Sequence, residues 1–478
     1  MTTAVATTDA ATTDAATTDA VGTDAATTPV VAVAPAGGGP TVVRRPALLH
    51  SAVALMTSTV ASAGLGFVFW VVAARWFPPE AVGRASAAVS AMALLAGLAQ
   101  LNLINLYARF LPGAGQHTRR LILTGYAASA VMSLLLGGGF LVLGLGTGII
   151  GPAPAQRLVF VAAVVASAIF FISDGVLTAL RKAGSVPVKN VIASSAKLAL
   201  LPLLAGTAAG DGMLIAWAAP MLVTMLGVNW WILRRLAPAH ARTAPAAPAP
   251  ARRELLGFAS AEYVNGLLTN AVAFLPPVMV AGVLGVTASA YFYIPWTIGV
   301  AGSTLLWNVV TSFVVTAASD PAAARAHVNR AFGLVAAVVL AGALVLGGAA
   351  GPLLRVLGGE YAAEGAGTLR LVGLSLPFTG VILLSCAFAM MEKRMWPVVT
   401  VQSVGIAAFL ALSWYGLPQV GIIAPAAALC MTQAAVAIAL LPSLVRRYRA
   451  TGDPAAPPAW ATRTARPETV TTDTRSAG

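Results

Sequence analysis

Residues 73–91 read AARWFPPEAVGRASAAVSA. The stretch holds two arginines and a glutamate in a chain of which only 9% of residues are charged. The flanking runs, residues 48–74 and 85–108, contain no charged residue. Each exceeds the roughly 20 residues an α-helix needs to cross about 30 Å of hydrocarbon. RWFPPEAVGR therefore reads as a short turn between two membrane-spanning helices. Pro78 and Pro79 stop the first helix, because proline removes a backbone donor and clashes with the preceding turn. Trp76 and Phe77 suit the headgroup layer.

Composition points the same way. A hydrophobic share of 58% and a mean hydropathy of +0.84 over 478 residues mark an all-α polytopic membrane protein. The net charge of +13 does not imply nucleic-acid binding, because the cations sit in short loops flanking apolar runs, where they set topology. Cys386 and Cys430 lie in apolar runs and read as small buried hydrophobes. With four scattered histidines they give neither a metal-binding spacing nor a disulfide framework, so no metal or cofactor is expected. The first 43 residues are polar and the first apolar run is long, so no cleavable signal peptide is expected.

Working outward, the N-terminus repeats TTDAA, with Asp9, Asp14, Asp19 and Asp24 five residues apart. Five matches neither a helical face nor a strand, and the segment lacks apolar surface, so residues 1–43 read as a disordered cytoplasmic tail. Residues 450–478 read alike. Between the tails lie twelve apolar segments: 48–74, 85–108, 121–145, 158–180, 190–209, 212–233, 255–284, 289–318, 331–350, 368–391, 396–415 and 420–443. With the N-terminus inside, 20 basic residues fall on the cytoplasmic side and five (Arg75, Arg84, Arg157, Arg355 and Arg370) on the outer side. Such a bias places both termini in the cytoplasm.

The Ala-Pro connection at 236–253 divides the chain into lobes of six helices, residues 44–235 and 254–449. Polyproline-like composition makes it a semi-rigid spacer. VVRRPALLHSA at 42–52 and PARRELLGFAS at 250–260 align at an offset of 208, so the halves read as repeats. Because six is even, both halves enter from the same side, which makes them parallel repeats around a central cavity.

At this point the opening stretch takes on a second meaning. ARWFPPEAVGRASAA, with YARFLPG (107–113) closing the second helix, resembles the polysaccharide and lipid-linked oligosaccharide exporters. These O-antigen-flippase-like proteins form a branch of the multidrug/oligosaccharidyl-lipid/polysaccharide flippase superfamily. The resemblance is specific in the first hairpin and architectural over residues 44–449. It implies a flippase of the bacterial inner (plasma) membrane that moves a lipid-linked oligosaccharide or polysaccharide precursor by alternating access. The implied partners are that glycan intermediate, membrane lipids and the cell-envelope glycan synthesis proteins, and many relatives have a cationic central cavity for the pyrophosphate.

Few polar groups interrupt the apolar helices. A charge at the bilayer centre costs about 2.5–3.5 kcal/mol on insertion scales, so Asp174, Lys197 and Glu262 invite functional readings. For Asp174 the leading reading is an interfacial pair with Arg181 or Lys182. Lys197 reads as seven residues into the fifth helix, at a depth matching Glu262 in the seventh, and the two are expected to face each other between the lobes. Either lysine snorkelling or helix–helix pairing is the bland alternative. Glu262, Asn265 and Thr269 form one helical stripe, as do Thr304, Asn308 and Thr311, and Asn102, Asn105 and Arg109. The stripes read as cavity lining, against a role in helix–helix hydrogen bonding. Arg75, Glu80 and Arg84 mark the outer mouth, with Glu80 near the positive end of the second helix. Pro276 and Pro277, in FLPP, are the candidate hinge.

Other functions fit less well. A cation-coupled multidrug exporter of the same fold would want a carboxylate deep in the N-terminal half, where Asp174 lies near a helix end. A membrane glycosyltransferase, polymerase or ligase needs catalytic groups on sizeable external segments, and the outer connections are short. An enzyme is not expected. A non-transporting membrane scaffold recruited through the tails remains a further alternative.

Overall fold

The computed structural model describes residues 64–204, 211–243, 252–319, 324–392 and 396–451. These residues form helices joined by turns, with no strand among them. The expected disordered tails, the first part of the first apolar run and residues 244–251 of the linker lie outside the described residues.

Each apolar segment has its helix. The first hairpin is α1 (Gly64–Trp76) and α2 (Pro79–Ala99), with α2 continuing after a break into α3 (Leu103–Phe110). The N-terminal half goes on with α4 (Thr118–Val142), α5 (Pro154–Ala179), α6 (Ser185–Leu203), α7 (Asp211–Trp231) and the short α8 (Ala237–Thr243). The C-terminal half comprises α9 (Arg252–Leu284), α10 (Val286–Ser319), α11 (Ala324–Gly348), the short α12 (Ala350–Arg355), α13 (Gly359–Met391), α14 (Trp396–Val420) and α15 (Ala424–Ala450). Nine continuous helical stretches among the described residues are long and apolar enough to cross a membrane. One of them, Trp396–Ala450, folds back at the turn Gly421–Ile423 into α14 and α15 and so crosses twice. With α1 and the 34-residue α10, the crossings number twelve, in two sets of six.

Exposed aromatics mark both ends of the crossings. Trp76, Trp414 and Tyr415 stand at the α1–α2 end, and Trp230 and Trp396 at the opposite end. Amphipathic rings prefer the headgroup level, so the two sets outline the two interfaces.

Among the boundaries that differ from the sequence reading, three bear on the site. Pro78 ends α1 and Pro79 occupies the first turn of α2, where its missing N–H costs nothing, so the proline pair starts one helix as it ends the other. The α6 helix begins at Ser185 rather than near residue 190, because Pro187 falls in its first turn and is tolerated there. The connection expected at 236–253 opens with helix: a π-turn, Ile232–Leu236, leads directly into α8.

The second crossing is also not one continuous helix. Leu101 and Asn102 both adopt left-handed backbone, at φ 51° and 56°. Such conformations cost of order 1–3 kcal/mol each for residues with a Cβ. Asn102 tolerates the region better than Leu101, and its Oδ1 accepts a 2.7 Å hydrogen bond from Asn105 Nδ2.

Prolines 276 and 277 stay inside an unbroken α9. A proline at 277 cannot bond the carbonyl of Ala273, four residues earlier. That oxygen instead accepts the Trp296 indole N–H of α10 at 2.9 Å. Trp296 is itself stacked between Phe292 and Phe409, with centroids 5.3 and 6.0 Å away.

Candidate functional site: the seam between the halves

The helix that begins in the opening stretch is the centre of the molecule. Helix α2 is buried on nearly every side and built largely of small residues, among them Gly83, Ala85, Ser86, Ala87, Ala88, Ser90 and Ala91. It packs against α4, α5 and α7 of its own half and against α9 and α10 of the other. Small residues let helix backbones approach where no hydrophobic drive separates protein from lipid. At Gly83 the approach is extreme: a Cβ there would lie 1.7 Å from the Val286 carbonyl oxygen. At Gly97 it would meet the Asn270 side chain at 2.3 Å.

The seam continues around α2. Trp70 of α1 meets Tyr293 of α10 with ring centroids 4.7 Å apart, and Phe69 and Trp217 pack around Trp70. These side chains belong to one core shared by both halves. Toward the end opposite the α1–α2 turn, Tyr263 of α9 donates to the Leu98 carbonyl at 2.9 Å. Beyond that level the N-terminal half has a core of its own, built from Tyr107, Leu111, Ile122, Ile172 and Leu177 among others. Among the described residues the halves are thus joined along α2 at the α1–α2 end, and α3 also meets α9 at the other end.

The outer-mouth residues take part in this closure. Arg75 Nε donates to the Val356 carbonyl at 2.7 Å, tying the first turn to the C-terminal half. Arg84 is paired with Glu80 at 2.6 Å, one turn apart, at the acidic start of α2. Nearby, Tyr291 donates to Glu360 at 2.6 Å and packs edge-on against Tyr361.

Lys197 sits elsewhere than expected. With α6 starting at Ser185, it lies twelve residues into the helix, about 18 Å along it, rather than about 10 Å. It is 2% exposed, and its Nζ lies 3.9 Å above the Trp217 ring. It therefore sits behind the aromatic side of the seam in the outer part of its half. Glu262 is ten residues into the 33-residue α9, about 15 Å along it, so counted from their helix starts the two remain at similar depths. The Glu262 and Asn265 side chains lie outside the described residues.

On α9, Tyr263 and Asn270 face α2, whereas Thr269 is exposed. The stripe toward the other half is thus offset by one residue, about 100°, from the 262/265/269 stripe. On α10 the Thr304 and Thr311 hydroxyls bond carbonyls one turn back, and Asn308 is half-buried. Asn102 is the cap of α3, not a mid-helix residue, and Arg109 is exposed in the last turn of α3, over Phe110.

The sequence reading missed Lys189. Placed in a loop before residue 190, it is in fact one turn into α6 and 2% exposed. Its Nζ lies 2.5 Å from Asp174 Oδ1, donates to the Phe170 carbonyl at 2.7 Å, and stands 3.5 Å over the Phe170 ring. Asp174 therefore pairs with Lys189 rather than with Arg181 or Lys182, which are exposed. The available signal was the lone aspartate in an apolar helix, which demands a buried cation nearby.

No family model matches the sequence, and no curated protein sequence matches it. Solved structures do match the fold. An inward-facing multidrug-resistance MATE family transporter of the MOP superfamily overlaps with a TM-score of 0.61 at 16% identity, over 82% of this chain and 96% of that one. The lipid II flippase MurJ in an inward closed conformation gives 0.61 at 13% identity, over 81% and 87%. An outward-facing MATE transporter gives 0.54 at 14%, over 84% and 96%. The fold is the one these proteins share.

Proposed function

We propose that the chain is an alternating-access flippase that carries a lipid-linked oligosaccharide or polysaccharide precursor across the bacterial inner membrane. The observation that carries the transport reading is the seam: two six-helix halves pressed together on the outer side through a small-residue helix. A contact that depends on Gly83 meeting a backbone oxygen suits separation as a unit, since rigid-body rocking of halves is how such repeats alternate access. The seam and both outer arginines then belong to the closed outer gate.

The anionic-cargo reading rests on charge. Among the described residues of the N-terminal half, the buried carboxylate Asp174 is already neutralised by Lys189. A carboxylate so engaged is poorly suited to hold a coupling cation, whereas Arg109 offers an exposed positive charge at the end of α3. The likeness to multidrug MATE transporters favours a second reading, a cation-coupled drug exporter. Deleting the gene and analysing lipid-linked glycans by mass spectrometry separates the two. Accumulated polyprenyl-linked glycan supports the flippase, while normal glycans with reduced drug efflux support the exporter.

The outer arginines supply a second test. An Arg75→Ala, Arg84→Ala variant that reaches the membrane at normal levels is expected to export several-fold less cargo, because the Arg75 link to the C-terminal half is lost. Undiminished export would reduce the turn to a topological element.

A further inference from the structure

The connections of the N-terminal half opposite the α1–α2 turn carry a cluster of cations that the transport reading does not use. Arg119 and Arg120 open α4, Arg181 and Lys182 occupy the α5–α6 turn, and Arg234 and Arg235 lie in the π-turn before α8, all exposed. Arg242 of α8 is exposed as well. None of these makes an ion pair among the described residues. No described carboxylate of this half lies with them, since Glu80 is at the opposite end and Asp174 is buried against Lys189. Helix α8 is folded against the turn after α3, with His240 Nε2 3.2 Å from the Leu111 carbonyl oxygen. That contact sets the arginines around α8 beside those of α4.

A face this uniformly positive requires counter-charge. The sequence contains a matching one. Four of the chain's 16 acidic residues (Asp9, Asp14, Asp19 and Asp24) fall within its first 24, and the first 43 residues contain no lysine or arginine. This segment leads into α1, which rises from the same side as the three basic connections, because each connection follows a returning helix. In an extended chain, aspartates five residues apart are separated by about 17 Å, a spacing suited to separate basic clusters rather than to one site.

We propose that the acidic N-terminal segment docks on this basic face, its aspartates engaging the clusters of α4, the α5–α6 turn and α8. Attachment to the same chain keeps the effective concentration of the aspartates high, so weak individual contacts suffice. The docked segment screens the arginines at the cytoplasmic rim from other anions. The inference does not depend on which cargo is carried.

Lys182 makes a direct test available, as it is the one amine among these cations. The full chain is placed in nanodiscs of phosphatidylcholine and treated with a carbodiimide, which joins a carboxylate to an adjacent amine. Peptide mapping is expected to find Lys182 linked to one of the four aspartates at about 0.02 M salt. The yield should fall about tenfold at about 0.5 M salt, as the screening length shrinks from about 20 Å to about 4 Å. It should vanish when the four aspartates become asparagine, and fall several-fold in Arg119→Gln, Arg120→Gln, Arg234→Gln, Arg235→Gln protein. Acetylation of Lys182 by a small reagent in the same nanodiscs verifies that the amine is reachable. An accessible Lys182 with no such link at low salt, or a yield indifferent to the arginine exchanges, would overturn the proposal. Nanodiscs containing one-third phosphatidylglycerol form the last arm. A link that persists supports docking, and its complete loss assigns the face to lipid headgroups instead.

Discussion

Individual side chains settle the cost of placing polar groups inside this molecule. The Trp296 indole satisfies the Ala273 carbonyl that Pro277 leaves open. Trp296→Phe keeps a ring between Phe292 and Phe409 but strands that oxygen, and a buried unsatisfied group costs about 1–3 kcal/mol. The variant is expected to show a lower midpoint of unfolding in detergent, with helix content unchanged by circular dichroism. An unaltered midpoint would mean that the carbonyl finds another donor. The Asp174–Lys189 pair behaves differently. Removing one partner of a buried pair costs about 3–5 kcal/mol, whereas replacing both with apolar groups is often neutral. Lys189→Met alone should therefore lower expression and stability more than the Asp174→Leu, Lys189→Met double variant, as measured by folded yield. If the double variant is the worse of the two, the pair is more than a staple between α5 and α6. This pair was only half legible from sequence. The aspartate stood out in an apolar run, but the fifth run was read as starting at residue 190, so its partner was taken for a loop residue.

At the level of the element, α2 is the piece that joins the halves. Its register against α10 depends on Gly83, where any side chain would enter the Val286 carbonyl. Gly83→Val should therefore hold the halves apart on the outer side. A cysteine at Tyr293, facing Trp70 across the seam, should then react with a membrane-impermeant maleimide several-fold faster than in the Gly83-containing chain. Equal rates would show that the seam accommodates the valine by local shifts. Helix positions were readable because apolar runs longer than about 20 residues admit little else. The break at Leu101 and Asn102 was not, since nothing in QLNLIN demands left-handed backbone from a leucine. The residues by which α9 meets α2, Tyr263 and Asn270, were not singled out either, because a tyrosine and an asparagine in an apolar run do not say which neighbour they meet.

At the scale of the whole molecule, the even number of crossings ties both termini to one side. Reporter fusions after Ala247 and after Arg449 should both report cytoplasm, and an external signal at either would break the twelve-crossing arrangement. The helices were legible in the apolar runs, whereas the packing of the two halves at the α1–α2 end was not. Closure depends on pairs such as Trp70 with Tyr293, more than 200 residues apart, which no local pattern links. The exposed aromatics carry a further consequence. Trp396 and Trp414 lie on one helix, eighteen residues apart, so they fix two planes about 27 Å from each other. Both project from a rigid α14, so this spacing cannot stretch with its surroundings. In bilayers of markedly longer acyl chains the lipid must thin or the helix must tilt less, at fractions of a kcal/mol per Å of mismatch. Under the proposed rocking of the halves, transport rate is then expected to vary with acyl-chain length.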